Sequence, residues 1–377
     1  DLNIPFLPQG TSDIAPVWNP EAFFNTMVVN GNTWPQMEVA PERYRLRFVN
    51  ASDSRFLNLA LFVVNPDGTL GQVLPFYVIG SEQGLLPAVV RIETGFATTL
   101  PGDGTDVGSG VTRVPGTSAE QALLMGPAER PDVIVDFSGL PDGTIVRMIN
   151  TAPDAPFGGF PDVPADPATT GQVMQFVLSA ALFNPGADPS TPAAELVLDP
   201  NPGGVAKLGP STVTQDLALL EEESALLCVT IDAVTGVIDL VPGSVPPDCA
   251  GGGLPFAPKA AVLGVNGSGG GTVQLWDDPI STNPAVGDIQ TWELWNHSAD
   301  AHPIHLHLVK FEVVNREVIS SGSLRPPEPW EAGWKDTVIA YPGEVTRIKA
   351  LFDVAGLYVW HCHILSHEDN EMMVPYC

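Results

Sequence analysis

Histidine is absent from the first 296 residues of this 377-residue chain. Basic residues are also scarce, 16 Lys and Arg against 44 Asp and Glu, for a net charge of −28. That field repels polyphosphates and anionic bilayers, so nucleic acid and membrane are excluded as partners. A solvated acidic surface accounts for the charge; so does attraction of cationic substrates, and the composition does not separate the two. No apolar run is long enough to span a bilayer. Long runs with a 3.6-residue period are missing, which argues against helical bundles and coiled coils. No signal peptide is present and the chain opens at Asp1 without Met, so it reads as processed or truncated.

What is present is β-forming. Hydrophobic residues make up 44% of the chain, enough for a full core, and 38 Pro with 37 Gly punctuate it without a period. Alternating stretches such as "RYRLRFVNA", "RPDVIVDFSG", "IQTWELWNHS" and "VTRIKALFD" read as strands of sandwiches. "VVNGNTWPQMEVAPERYRLRFVNASDSRFLNLALF" and "GVNGSGGGTVQLWDDPISTNPAVGDIQTWELWNHSADAHPIHLHLVKF" share the order Val-Asn-Gly, loop, strand ending in Asn-x-Ser, second strand. The expectation is an all-β chain of two like sandwich domains, residues 1–182 and 211–377, joined by a Pro/Gly-rich linker over 183–210. Setting Asn50 on Asn296 places Phe56, Leu59 and Leu61 where the second copy has His302, His305 and His307. Irregular loops are expected over 100–118 and 151–171. Cys228 and Cys249 are close enough to bridge a local loop; two separate buried thiols are the alternative, and Cys377 has no evident partner.

All seven histidines lie at the C-terminal end: His297, then "HPIHLHL" over residues 302–308 and "HCHILSHEDNEMM" over residues 361–373. Residues two apart on a strand face the same side. His305 therefore points with His307, and His361 with His363, while Cys362 points the other way. One short strand then touches two metal sites. His302 and His367 are expected on flanking turns. Two imidazoles, a thiolate and a weak thioether from Met372 form the ligand set of a blue-copper centre. Zinc accepts Cys and His but explains neither the methionine nor the remaining histidines.

These two motifs resemble the C-terminal copper signatures of multicopper oxidases. "VNGNTWPQMEVAPERYRLRFVNASDSR", "AERPDVIVDF", "GWKDTV" and "YVWHCHILSHEDNEMM" are similar to the bacterial spore-coat laccase and bilirubin oxidase branch. The resemblance implies cupredoxin-like Greek-key β-sandwiches and copper as cofactor. It implies that His302, Cys362 and His367 bind a type 1 copper with Met372 axial, His305 a type 2 copper, and His307, His361 and His363 a type 3 pair. A small aromatic or metal-ion reductant would deliver electrons through an exposed edge of His367, and dioxygen would be reduced to water. Glu368 matches an acidic residue that supplies protons; an ordinary surface carboxylate is the other reading. His297 matches no ligand.

The family's trinuclear cluster takes eight histidines, four of them from an N-terminal cupredoxin domain with two His-x-His motifs. This sequence has neither. The expectation is therefore the second and third domains of a laccase-type enzyme. The missing domain would be a second polypeptide or a clipped half of the same product, located outside the cell, in the periplasm or on a spore or cell surface. A metal-ion oxidase for Mn(II), Cu(I) or Fe(II), a type 1 electron carrier and a copper-free coat protein are the alternatives.

Overall fold

The structure is a computed structural model that describes residues 12–14, 20–92, 123–159, 164–183, 190–198, 207–232 and 238–377. The expected loop over 100–118 lies outside the described residues, as do 160–163 of the second loop and much of the expected linker.

The first half is a sandwich. One sheet runs in the order Gln36–Val39, Gln172–Leu178, Ile145–Asn150, Leu57–Val64, Leu70–Leu74, and Leu123–Met125 also pairs with Leu57–Val64. The other runs Arg43–Arg47, Asp132–Asp136, Phe76–Ser81, Gly84–Ile92. The alternation read from sequence is the alternation of burial. In Ile145–Asn150 every second residue is buried, which is what a strand with one face on a core must show. Leu61, Phe76, Val133, Val135, Phe137 and Val146 form that core and exclude solvent completely.

The second half repeats the plan with a seven-stranded sheet centred on Asp288–Asn296 and Glu344–Phe352. A four-stranded sheet, in the order Thr337–Ala340, His302–Leu306, Tyr358–Cys362, Met373–Tyr376, faces it. Trp292 fills the space between, with Phe352, Trp360 and Tyr376 against its ring. A small three-stranded flap carries a Cys228–Cys249 disulfide. The helical content among the described residues is one turn, Leu365–Glu368, and four short 3-10 turns.

The internal repeat is a structural one, built on a buried asparagine. Asn50 Nδ2 donates to the carbonyls of Arg55 and Met125, and Asn296 Nδ2 to those of Asp300 and Ala340. In each copy the Asn Oδ1 accepts from the backbone N–H of the Ser two residues on, Ser52 or Ser298. In each, its carbonyl accepts from a residue of positive φ, Ala128 or Gly343. A buried Glu, Glu129 or Glu344, follows that residue. These bonds correct the sequence alignment. The turn after Asn50 is one residue longer, so Leu57 pairs with Met125 as His302 pairs with Ala340. Leu57, not Phe56, occupies the place of His302; a count along the sequence cannot see one extra residue in a turn.

The halves meet across a continuous apolar seam. Phe56, Leu124, Ala152 and Phe157 of the first half pack into the cluster that holds Ile304, Ile339 and Cys362. Gly126 sits at a close approach, where a β-carbon would lie 3.2 Å from Pro303 and 3.3 Å from Ile339. Ile14 belongs to the same cluster and Asp13 accepts from Ser224, so residues 12–14 dock on the second half.

Candidate metal centres

The site is assembled by one pair of strands. His302–Leu306 lies antiparallel to Tyr358–Cys362 with Ile304 opposite Cys362 and His305 opposite His361. Alternation along both strands then sorts the donors onto two faces. His302 and Cys362 share the inner face. His305 and His361 share the outer one. His302 is thus the first residue of the His305 strand, not part of a flanking turn as the sequence suggested. His367 lies on the helical turn Leu365–Glu368.

On the inner face, Cys362 Sγ is 3.6 Å from His302 Nδ1 and 3.9 Å from His367 Nδ1. Cys362 and His302 are fully buried, His367 is 1% exposed and Met372 is fully buried. Met372 is tied to the site by its backbone: its N–H donates to His367 O, and its carbonyl accepts from Cys362 N–H. The imidazole of His302 is oriented by a relay. Its Nε2 is 2.7 Å from Ser298 Oγ, whose hydroxyl donates to Asn296 Oδ1. The corner asparagine of the repeat thus also fixes which ring nitrogen faces the thiol. Burial pushes His302 down to about 4, and His367 well below its ordinary range with help from neighbouring His302. Both rings are neutral, with lone pairs to offer. Burial pushes the Cys362 thiol well up, so the thiolate forms when a cation displaces its proton.

On the outer face, the His305, His307 and His361 rings lie within 5.3 Å of one another, and the His363 ring is 5.3 Å from that of His361. His361 Nδ1 is 3.0 Å from the carbonyl of Cys362, and His305 Nδ1 is 2.8 Å from that of Asp336. Each bond leaves Nε2 as the free donor. His307 Nε2 and His361 Nε2 stand 3.1 Å apart. His307 is exposed and His305 and His363 are partly exposed, so this face opens to solvent where the inner one does not. Glu368 Oε2 is 3.2 Å from His361 Nδ1 and 3.9 Å from His363 Nδ1. Burial would raise its pKa, but the hydrogen bond and positive field of His361 outweigh it and hold the carboxyl below its ordinary value. His297 stands apart, bonded to Asn266 and stacked on Trp295.

Three features were not visible in the sequence. First, the outward edge of His367 is covered. Its ring is hydrogen-bonded to the backbone of Pro20, and Glu21 Oε1 is 3.9 Å from its Nε2. This corrects the expectation of an exposed edge. Second, Glu21, Asp300 and Glu221 form a carboxylate trio beside His302 and His367, with Asp300 buried and the other two partly so. Burial raises all three, Glu221 to about 8, and Asp300 hydrogen-bonds both of the others. Third, the histidine-free half grips the His367 turn. Asp53 accepts from Leu365 N–H through its carbonyl and from Ser366 Oγ through its carboxylate.

A family model described as Multicopper oxidase matches residues 263–377, the segment that carries every donor above. The chain is 32% identical to a laccase from Bacillus stratosphericus over 99% of its own length. The chain belongs to the multicopper oxidases. It is also 32% identical to a laccase from Bacillus subtilis (strain 168), over 93% of its length. The McoA multicopper oxidase from the hyperthermophile Aquifex aeolicus has the same fold, with TM-score 0.57 and 23% identity over 96% of this chain. The chain spans 59% and 53% of the two laccases and 61% of McoA. The sandwiches described above are therefore cupredoxin-like domains, and copper is the metal this family uses.

Proposed function

We infer that this chain supplies the second and third cupredoxin domains of a laccase-type oxidase that takes single electrons from phenols or aromatic amines and reduces dioxygen to water. One observation carries the reading: Cys362 contributes its side chain to the inner site while its neighbours His361 and His363 contribute theirs to the outer one. The donor chemistry fits copper. A buried thiolate, two imidazoles whose Nδ1 atoms face it, and a buried thioether suit a type 1 ion; imidazoles alone suit type 2 and type 3 ions. Bound there, copper supplies one-electron redox chemistry on the inner face and oxygen reduction on the outer.

The protein's own part is positional. Ser298 and the Pro20–Glu21 segment hold the two inner rings by their far nitrogens, and burial excludes water from the thiolate. Cys362 links the faces covalently, and the His361 bond to its carbonyl adds a second connection. Glu368, against His361 and partly open to solvent, is placed to pass protons to the outer face. The exposed His307 and the open outer face support a further domain with two His-x-His motifs packing there, from a second polypeptide or another part of the same product. The Cys228–Cys249 disulfide supports an oxidising, extracytoplasmic location.

Copper content, blue absorption and electron paramagnetic resonance of the purified protein, with oxygen uptake on a phenolic substrate, test this. Type 1 signals without oxygen uptake would reduce it to an electron carrier; no bound copper would overturn it.

The carboxylate trio favours a second reading, a metal-ion reductant. Three acids beside His302 and His367, Asp300 buried and Glu21 and Glu221 partly so, suit a cation that displaces their shared protons. Glu21→Gln separates the readings. If Fe(II) or Mn(II) is the reductant, its kcat/KM falls more than that for a phenol, since only the cation loses a ligand. An equal change for both classes leaves the aromatic reading.

A further inference from the structure

The half without histidines reaches the outer metal face through one residue, Asp336. Its carbonyl is 2.8 Å from His305 Nδ1, its Oδ1 is 3.5 Å from the same atom, and Thr337 Oγ1 donates to that Oδ1 at 2.9 Å. The other oxygen, Oδ2, is held from across the domain seam. Gln83 Nε2 donates to it at 2.6 Å and Arg130 at 2.5 Å. The two residues before Asp336 are gripped by the same turns. Trp334 O accepts from Ser81 Oγ and Gln83 N–H, and Lys335 Nζ sits between Glu82 at 2.9 Å and Glu129 at 3.2 Å. Arg130 N–H closes the circuit on Glu82 Oε1.

We propose that Gln83 and Arg130 are positioning residues for the metal on His305, acting through Asp336 to fix the ring's tautomer and direction. The chemistry requires such a clamp. His305 is partly exposed and lies on the open face, so burial alone does not orient it. Its Nε2 is a metal donor only while the proton stays on Nδ1; the Asp336 carbonyl at 2.8 Å and the Thr337 hydroxyl at 3.1 Å hold it there, and the carboxylate at 3.5 Å adds its charge and raises the ring's donor strength. With Oδ2 unbound, the carboxylate would be held by Oδ1 alone, through the single hydroxyl of Thr337. Gln83 and Arg130 occupy Oδ2 with three fixed directions between them: two N–H bonds to it and the Gln83 backbone anchored to Trp334. The metal consequence rests on the copper reading above; the tautomer consequence does not.

The test uses a Gln83→Leu, Arg130→Met double variant. Gln83 is exposed and Arg130 only partly buried, so neither side chain belongs to the core, and the circular dichroism of the variant is checked against wild type. In metal-free chain with 15N-labelled histidine, the wild-type His305 ring carries its proton on Nδ1; in the variant a measurable fraction shifts to Nε2, with the His302 and His367 ring signals unmoved. In copper-loaded protein the variant's type 2 resonance changes its hyperfine splitting and its copper is retained about tenfold less tightly, while the blue band is unchanged. Arg130→Lys, with Gln83 intact, restores both readouts in large part. An unchanged His305 tautomer, or equal disturbance of His302 and His367, overturns the proposal. A wild-type protein without a type 2 signal but with the expected tautomer shift counts against the copper reading alone.

Discussion

Cys362 has its side chain on one face and its neighbours' on the other, and its thiol is fully buried. Replacing it with Ser removes the one soft anionic donor of the inner site. Cys362→Ser should abolish blue colour while the imidazoles of the outer face still bind copper; a blue variant would refute the type 1 assignment. Met372 offers a finer test. It is fully buried, and Leu fills nearly the same volume, so Met372→Leu should cost less than about 1.5 kcal/mol of stability. Loss of the thioether should raise the type 1 potential and weaken copper retention while colour survives. A redox titration showing no shift would exclude Met372 as axial donor.

At the scale of elements, the fold rests on the two asparagine corners. Each joins the end of one strand to the start of the next and to a third. Asn50 is fully enclosed, and Asn50→Ala leaves the carbonyls of Arg55 and Met125 and the N–H of Ser52 without their partner. The expected loss is about 3 kcal/mol, read by denaturant unfolding. Asn296→Ala should cost a similar amount and, unlike Asn50→Ala, also free the Ser298 relay and disturb His302. The disulfide belongs to this scale as well. Its cysteines are 21 residues apart, and for that loop reduction should cost about 3 kcal/mol, seen as a lower melting temperature in reductant. No change would mean that the flap contributes nothing to the cooperative unit.

The whole molecule is an acidic body with a few buried charge clusters. Two kinds of buried carboxylate give its stability opposite pH dependences. Glu129 and Glu328 are pushed up to about 7, chiefly by burial; the single Lys335 lies between Glu129 and Glu82 and offsets this only in part for Glu129. The folded chain binds more protons there than the unfolded one between about 4.5 and 7, so stability falls as pH rises through that window. Glu331 is the reverse. Burial would raise it, but Arg316, bonded to both its oxygens, holds it well below the ordinary range. Its contribution is present above the unfolded value near 4.5 and is lost as pH falls below it. The melting temperature of the metal-free chain should therefore climb from pH 8 to about 6.5; below that the buried neutral His302 and His367, which only the unfolded chain protonates, oppose the trend, and stability drops below about 4. The net charge of −28 reinforces the first trend, since protonation relieves self-repulsion. A profile that rises from pH 6.5 to 8 would contradict this account.

How much of this was legible beforehand follows from the range of the forces involved. Strand alternation is local, so "HPIHLHL" and "HCHIL" by themselves sorted Cys362 from His361 and His363 and announced two sites sharing a strand. The Asn-x-Ser echo announced two copies of one sandwich. Tertiary contacts decided the rest. One extra residue in the turn after Asn50 moved the repeat by a position, because a hydrogen bond to Arg55 O measures space and not sequence. His302 joined the His305 strand because Ala340, 38 residues on, pairs with it. The outward edge of His367 is closed by Pro20 and Glu21, more than three hundred residues away in the chain, and Glu221 and Asp300 complete the trio beside it. Asp336 stood in a quoted motif without a role, since nothing adjacent to it in sequence reveals that Gln83 and Arg130 reach its carboxylate. Local spacing determined which donor side chains share a face; only the packing of one half on the other decided what those residues face.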